Sequence, residues 1–526
     1  MQLIFVISFV ILMFVTWTFE LHPRRRSSRT QNNMNKNQKN LRINQPTNME
    51  EYDYALMISL WFFQAQRSGK MPSNNRIGFR HDSMLHDHGY FGEDLSGGYY
   101  YSGISYVKYV FPTAFTTTLL AWGVLTWTQA YRQAHQLKTI RQDIKWATDY
   151  FIKCHPQEEL FYIQVGDEMY ERRIFGRPEN VEYHRPAYAA NSSHPATDIL
   201  SETTAALAAA SIVFKDIFND THYSNVCLTH AKQLYKFAMK YRGSHYKWMP
   251  NIYSYEINSY SYHDDLTWAA LWLYRATRLK WYLADAEDMY ARYELATNNV
   301  IFNYYNKVPG IEMMFTELTI NSAHENAVKN YLNTVINKII RTGKGLAFFS
   351  DTDTLPLAAN AAFLCLIAAS SNVEHSDEPY AFAKEQIDYI LGIKTGRSYV
   401  VGFSSSSPTH ISHKASSCPR MPRNCGIREI TSNESNYQVL YGALVNGPEK
   451  NDVFVDVRFR EEGKSHTKVR IDYNAGFTGA LAGLLQSDIN WNSSTSLNQH
   501  YNSYDTVYNK NGNSSWSRSS ITRMLT

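Results

Sequence analysis

The chain has 526 residues, of which 44% are hydrophobic and 19% charged. That apolar content is enough to offset the entropy of ordering, which excludes a wholly disordered polypeptide. The 52 Lys and Arg against 48 Asp and Glu leave a net charge of +4, too little at this length to point to a nucleic-acid partner. Aromatic residues reach 14%, with 38 Tyr and 11 Trp. Such rings serve core packing first and stacking surfaces for sugars second.

Residues 3–19 (LIFVISFVILMFVTWTF) carry no charge, have no Lys or Arg before them, and are short for a membrane span. Arg24, Arg25 and Arg26 follow and resist translocation if the segment stays uncleaved. Residues 1–26 therefore read as a signal peptide or a signal anchor, with the choice open. The expected location is extracellular, and membrane anchorage is the alternative. Sequons at Asn191, Asn219, Asn433, Asn492 and Asn513 agree with a secretory route. Residues 27–49 read as a polar linker, 50–487 as one long folded domain, and 488–526 as a Ser/Asn-rich disordered tail.

Within 50–487, apolar residues at helical spacing predict eleven helices. They cover 50–69, 112–134, 140–154, 200–218, 225–241, 264–279, 284–300, 324–340, 355–371, 378–391 and 475–486. The best strand signal is SYVVGF at 398–403. So many helices without a linker predict a closed repetitive architecture, with functional residues on loops at one end. Of five cysteines, Cys418 and Cys425 lie in one Pro-containing loop and read as a local disulfide, whereas Cys365 lies in the apolar run AAFLCLIAAS and reads as a buried thiol.

The residues then reveal a family resemblance. GEDLSGGYY (92–100), FPTAFTTT (111–118), WATDYFIKCHP (146–156), GRPE (176–179), ETTAALAAASIVF (202–214), DDLTWAALWLYRAT (264–277), YGALVNGP (441–448) and DYNAGFTGALA (472–482) occur in order. Together they resemble glycoside hydrolase family nine, the endo-β-1,4-glucanases, most closely of the animal type, over about 50–487. The resemblance implies an all-α (α/α)6 barrel and an inverting mechanism. It also implies the Cys418–Cys425 pair, seen in the animal enzymes. Inversion needs two carboxyl groups, about 6.5–9.5 Å apart, one as base for water and one as acid for the leaving oxygen.

Here both positions are replaced. The family's DAGD, which carries the base, falls on Tyr101, Ser102, Gly103 and Ile104, and the acid falls on Lys468. An ammonium is a far weaker acid than a carboxylic acid. A substrate-contacting His and Arg fall on Ser412 and Lys414, with His410 and His413 as neighbours. The family's WWG reads Ile174, Phe175, Gly176, and its W-G-S-x-R reads Thr352 to Pro356. The fallback carboxylates are Asp94 or Asp87 as base and Glu461 or Glu462 as acid. The remaining substrate contacts that the resemblance implies are Tyr100, Tyr183, His413, Lys414 and Arg458.

Asp198, Glu202 and Asp264 match a structural Ca²⁺ site of many members, and hard oxygen ligands suit that ion. Alternatively, Asp198 and Glu202 cap a helix. Asp456 and Arg458 read as an ion pair holding a loop. The expectation is a catalytically impaired or inactive endoglucanase-like protein, acting as a glycan-binding or scaffold protein. An active inverting endoglucanase with relocated acid and base is the alternative, and a structural protein without sugar affinity is the third reading. The expected partner is a β-glucan or another glycan, with no nucleic acid, and a membrane only if the N-terminal segment is uncleaved.

Overall fold

A computed structural model describes residues 51–249, 261–371, 377–458 and 465–487. The segments read as signal or anchor, linker and tail lie outside the described residues, as do Glu461, Glu462, Asn492 and Asn513. Among the described residues there are twelve helices of eleven residues or more. They are α1 (Glu51–Ala65), α2 (Val110–Thr126), α3 (Leu137–Lys153), α4 (Thr197–Ile212), α5 (Thr221–Lys240), α6 (His263–Thr277), α7 (Lys280–Arg292), α8 (Val308–Leu318), α9 (Ser322–Asn333), α10 (Thr354–Ser370), α11 (Glu378–Leu391) and α12 (471–487).

Two kinds of helix alternate along the chain. Helices α2, α4, α10 and α12 are buried on nearly every side, as their apolar, Ala- and Thr-rich sequences require. Helix α4 runs on through a π-turn at Val213–Ile217, and the 21-residue run is apolar enough to cross a membrane. It is a core helix instead, with 94% of its apolar window buried. Helices α3, α5, α7, α9 and α11 each bury one face; α3 does so through Ile140, Ile144, Ala147 and Phe151 at helical spacing. A ring of fully buried helices backed by half-buried ones is the (α/α)6 barrel.

Small residues set the helix spacing. A Cβ at Gly479 of α12 would stand 2.5 Å from the Phe363 ring of α10, so glycine permits that approach. Trp122, Trp268 and Trp272 fill the centre with ring centroids 5.7–5.9 Å apart. A three-stranded antiparallel sheet, β1 (Lys108–Tyr109), β2 (Phe161–Val165) and β3 (Ala187–Ala190), pairs in the order β1-β2-β3.

Nine of the eleven predicted helices match to within about one turn at each end, counting the π-turns that continue α4 and α9. The 112–134 prediction splits at Trp127, where a short helix, Thr128–Gln133, begins. The 284–300 segment stops at Arg292. Helix α8 was hidden by Pro309 and Gly310, although proline is compatible with the first turn of a helix. SYVVGF forms one isolated bridge, Val400 to Leu444, and then turns.

Candidate active site

Tyr101, Tyr304, Asp353, Lys468 and Arg470 from the loops meet Asp472 and Tyr473 at the start of α12 in a polar floor. Fully buried Arg470 organises it, donating from Nη2 to Asp353 at 2.7 Å and to Asp472 at 2.8 Å. The Arg470 guanidinium lies 4.3 Å from the Tyr473 ring centroid and 5.4 Å from that of Tyr101. The Tyr473 hydroxyl donates to Asp353. Tyr101 is itself buried; its hydroxyl lies 3.2 Å from that of Tyr304, which in turn contacts the Tyr305 hydroxyl. Burial raises the Asp472 carboxyl despite the Arg470 charge. The two carboxylates of this floor are thus bound to a guanidinium rather than poised across an open cleft.

Lys468 stands half-buried beside them, its backbone bridged to Ser412. Burial first, then the Arg470 charge, pushes its ammonium well below the ordinary lysine range, against the pull of Asp472 and Glu168. That shift favours the neutral amine over the ammonium.

Sequence reasoning missed the nearest additional carboxylate. Glu168 lies on a one-turn helix, Glu168–Glu171, capped by Asp167, whose carboxylate accepts from the Tyr170 N–H at 2.8 Å. The Glu168 carboxylate accepts from Ser105 Oγ at 2.6 Å, from the Tyr109 hydroxyl at 3.4 Å and from Arg172 Nε at 2.7 Å. Only its place in VGDEMYERR, an acidic turn just after β2, could have marked it. Ser105, one residue beyond the presumed DAGD slot, is the member of that loop that reaches this carboxylate.

The other sequence-predicted residues disperse. Tyr100 is buried, donates to Ser83 Oγ at 2.8 Å and lies under Arg80. His413 is buried between Gln66 Oε1, 2.8 Å from its Nε2, and the Ser416 N–H, which donates to Nδ1. Burial pushes its imidazole down to about 3, so it is neutral. Lys414 turns away from the floor and donates to the carbonyls of Glu171, Arg172 and Ile174 at 2.7–2.9 Å, with burial lowering its ammonium to about 8. Ser412 Oγ lies 3.2 Å from Ser465 and 3.1 Å from Thr467. Tyr183 donates to Glu171 at 2.6 Å. Ile104 is half-buried.

Arg458 and Asp456 hold different loops rather than each other's side chain. Arg458 donates to the carbonyls of Glu429 and Ser432, and Asp456 accepts from the N–H groups of Thr409 and His410. Asp94 is mostly exposed and paired with Lys153 at 2.7 Å, and Asp87 is buried between Lys108 and Arg185. Neither belongs to the floor. Cys418 and Cys425 form a disulfide, their Cα atoms 5.4 Å apart, and Cys154, Cys227 and Cys365 are buried thiols.

The implied calcium ligands do not fit the ion. Asp198 is saturated by Ser244 Oγ at 2.6 Å, His245 Nδ1 at 2.8 Å and the Ile199 N–H. Glu202 faces the Lys307 ammonium at 3.1 Å, and Asp264 accepts from the Lys307 N–H at 2.9 Å. Lys307, fully buried, also pairs with Asp265 at 2.6 Å and donates to the Tyr304 carbonyl. Among the described residues no group of three or more His, Cys, Asp or Glu side chains is arranged to hold a metal. The cation of this cluster is the protein's own lysine. Of the capping alternative, Asp198 does lie in the first turn of α4 and accepts from the Ile199 N–H, whereas Glu202 lies beyond it and the N-cap, Ala196, has no side-chain cap.

Residues 52–481 match the profile of Glycosyl hydrolase family 9. Endoglucanase A of Bacillus pumilus is 37% identical over 454 residues, covering 83% of this chain and 67% of that protein. The endoglucanase of the termite Nasutitermes takasagoensis is 43% identical and superposes with a TM-score of 0.80, covering 84% of this chain and 99% of that one. Cellulase Cel9M of C. cellulolyticum, solved with cellobiose, is 30% identical with a TM-score of 0.75, covering 83% of this chain and 99% of that one.

Proposed function

The chain belongs to glycosyl hydrolase family 9, and from that premise we propose that it is a secreted endoglucanase-like protein that binds a β-linked glycan without hydrolysing it. One observation carries the reading. Tyr101 and Ile104 stand where the family carries its base, Lys468 stands where it carries its acid, and the neighbouring Asp353, Asp472 and Glu168 carboxylates are committed to Arg470 and Arg172. General acid and general base each contribute about 10²–10⁴ in rate, so losing both removes most of the chemistry. Glycan affinity is supported by the retained framework and by the cellobiose bound in a relative of the same fold. The apolar N-terminal segment supports the secretory route.

The test is reducing-end release from a soluble β-1,4-glucan, with the termite enzyme as a positive control and Lys468→Glu alongside. The proposal expects background release from the native chain, and it also expects none from Lys468→Glu, because the base is still missing. Release well above that of an unrelated protein, abolished by Glu168→Gln, would instead establish an active endoglucanase with a relocated carboxylate.

A further inference from the structure

An arginine-rich loop, closed by the disulfide, adjoins the segments that frame the polar floor. Residues 418–430 read CPRMPRNCGIREI, and Arg420, Arg423 and Arg428 are all exposed. The Cys418 and Cys425 Cα atoms are 5.4 Å apart, and the Arg423 N–H donates to the Arg420 carbonyl at 3.2 Å, so these two arginines flank one tight turn. Buried Arg177 donates from Nη2 to the Pro419 carbonyl and, at 2.6 Å, to that of Arg423. Gln438 also holds the loop, donating to the Cys418 carbonyl at 3.2 Å and accepting from Arg420 Nε at 3.4 Å. Arg428 follows on the one-turn helix Ile427–Ile430. The only acid of the stretch, Glu429, accepts from the Gly426 N–H at 2.8 Å. None of the three guanidiniums has a carboxylate ion-pair partner among the described residues. Upstream, the one-turn helix Lys414–Ser417 leads into Cys418, and the Lys414 ammonium is bound to the backbone of Glu171, Arg172 and Ile174.

Three exposed cations on an anchored loop form a fixed pattern of positive charge that no acid of the fold answers. Planar guanidinium forks match carboxylate and sulfate groups through paired hydrogen bonds. The disulfide and the backbone anchors mean that little order is lost when a ligand settles there. We propose that the 418–428 loop is a docking surface for an acidic polysaccharide, one bearing carboxylate or sulfate groups along its chain. Met421 and Ile427 are the large apolar side chains the loop exposes, too few to enter a bilayer, so a soluble polyanion fits better than a lipid surface. The carbohydrate class follows from position. Through Lys414 and Arg177 the loop is fastened to the stretch that runs on from Glu168, so a polymer on it lies at the edge of the candidate site. In that respect the proposal rests on the glycan-binding reading, and it adds charge as a recognised feature of the polymer.

The experiment is calorimetric titration of the full chain, in about 0.15 M salt, with polygalacturonate, heparin, neutral dextran and cellohexaose. Polygalacturonate offers carboxylates alone, and heparin adds sulfates. The titrations are repeated on Arg420→Gln/Arg423→Gln and on Lys215→Gln/Lys232→Gln, which removes the same charge from exposed positions outside the loop. All four side chains are exposed, so thermal unfolding should match the parent chain and certify folding. At least one acidic polymer should bind and dextran should not; the arginine variant should lose about tenfold while the lysine variant keeps the parent affinity. Equal loss in both variants would assign binding to net charge, and parent affinity in the arginine variant would place it elsewhere; either result overturns the loop. Failure of both acidic polymers while cellohexaose binds would overturn the loop alone. Failure of every sugar would overturn the glycan-binding reading and the loop with it. Cosedimentation with phosphatidylserine vesicles that the arginine variant loses, without polysaccharide binding, would assign the loop to a membrane and overturn the proposal.

Discussion

Replacing Lys307 by Met isolates the buried cation that stands among the acidic residues of α4 and α6. Lys307 is fully buried, and its ammonium lies 3.1 Å from Glu202 and 2.6 Å from Asp265, both also buried. Burial alone would lower this ammonium, but Asp265, Glu202 and Asp264 outweigh it and hold it raised. Removing one partner of such a cluster strands the others, at a cost of about 3–5 kcal/mol. A folded unit of about 430 residues has an unfolding entropy near 0.9 kcal/mol/K, so this cost corresponds to a fall in Tm of roughly 3–6 °C. The carboxyls of Glu202 and Asp265 are raised by burial, partly opposed by Lys307. In the variant they rise further above their unfolded values, so the penalty is small in acid and grows as pH rises through the carboxylate range. Differential scanning calorimetry at pH 4.5 and 7.5, with and without EDTA, measures both effects. A Tm within 1 °C of the parent, a deficit that does not change with pH, or a clear EDTA-induced fall in the parent chain would refute the reasoning.

Three further outcomes follow from the same geometry. His155 and His230 share one hydrogen bond between their Nδ1 atoms at 2.9 Å, and burial, with His230 second, lowers His155 to about 4. A neutral histidine in the fold contributes stability above its unfolded value near 6.5 that is lost as pH falls toward 4, so His230→Gln should flatten the fall in denaturant midpoint across that window. Gly479→Ala drives a Cβ to 2.5 Å from the Phe363 ring and should cost about 1–3 kcal/mol by urea unfolding. Lys414→Met removes the donor to three carbonyls and should cost about 2–3 kcal/mol while making the 171–175 backbone a preferred site of limited proteolysis.

Much of the fold was legible because helical periodicity survives in eleven of the twelve long helices. Helix α8 escaped because Pro309 and Gly310 read as a break, whereas proline at the start and Gly310 against the Phe302 ring are both tolerated there. SYVVGF misled because its β-branched and aromatic residues satisfy burial around a turn, with Gly402 at positive φ, as well as they would a strand. At the site, the changed residues Tyr101 and Lys468 were visible as departures from ordered motifs. Their neighbours were not, because Asp353 and Arg470 meet across more than a hundred residues and Tyr101 and Tyr304 across two hundred. The lysine among the implied calcium ligands was hidden for the same reason. The acids of 198–202 and 264–265 were visible in sequence, but the lysine that neutralises Glu202 and Asp265 lies far along the chain at 307.

A glucan-binding frame without a working acid and base, as proposed, leaves a bound oligosaccharide uncut. The most direct measurement is prolonged incubation of the folded chain with cellohexaose labelled at its reducing end, read by chromatography. Intact cellohexaose is expected after an incubation in which the termite enzyme consumes it all. Shorter labelled products that disappear in Glu168→Gln would contradict it and return the protein to the working hydrolases of its family.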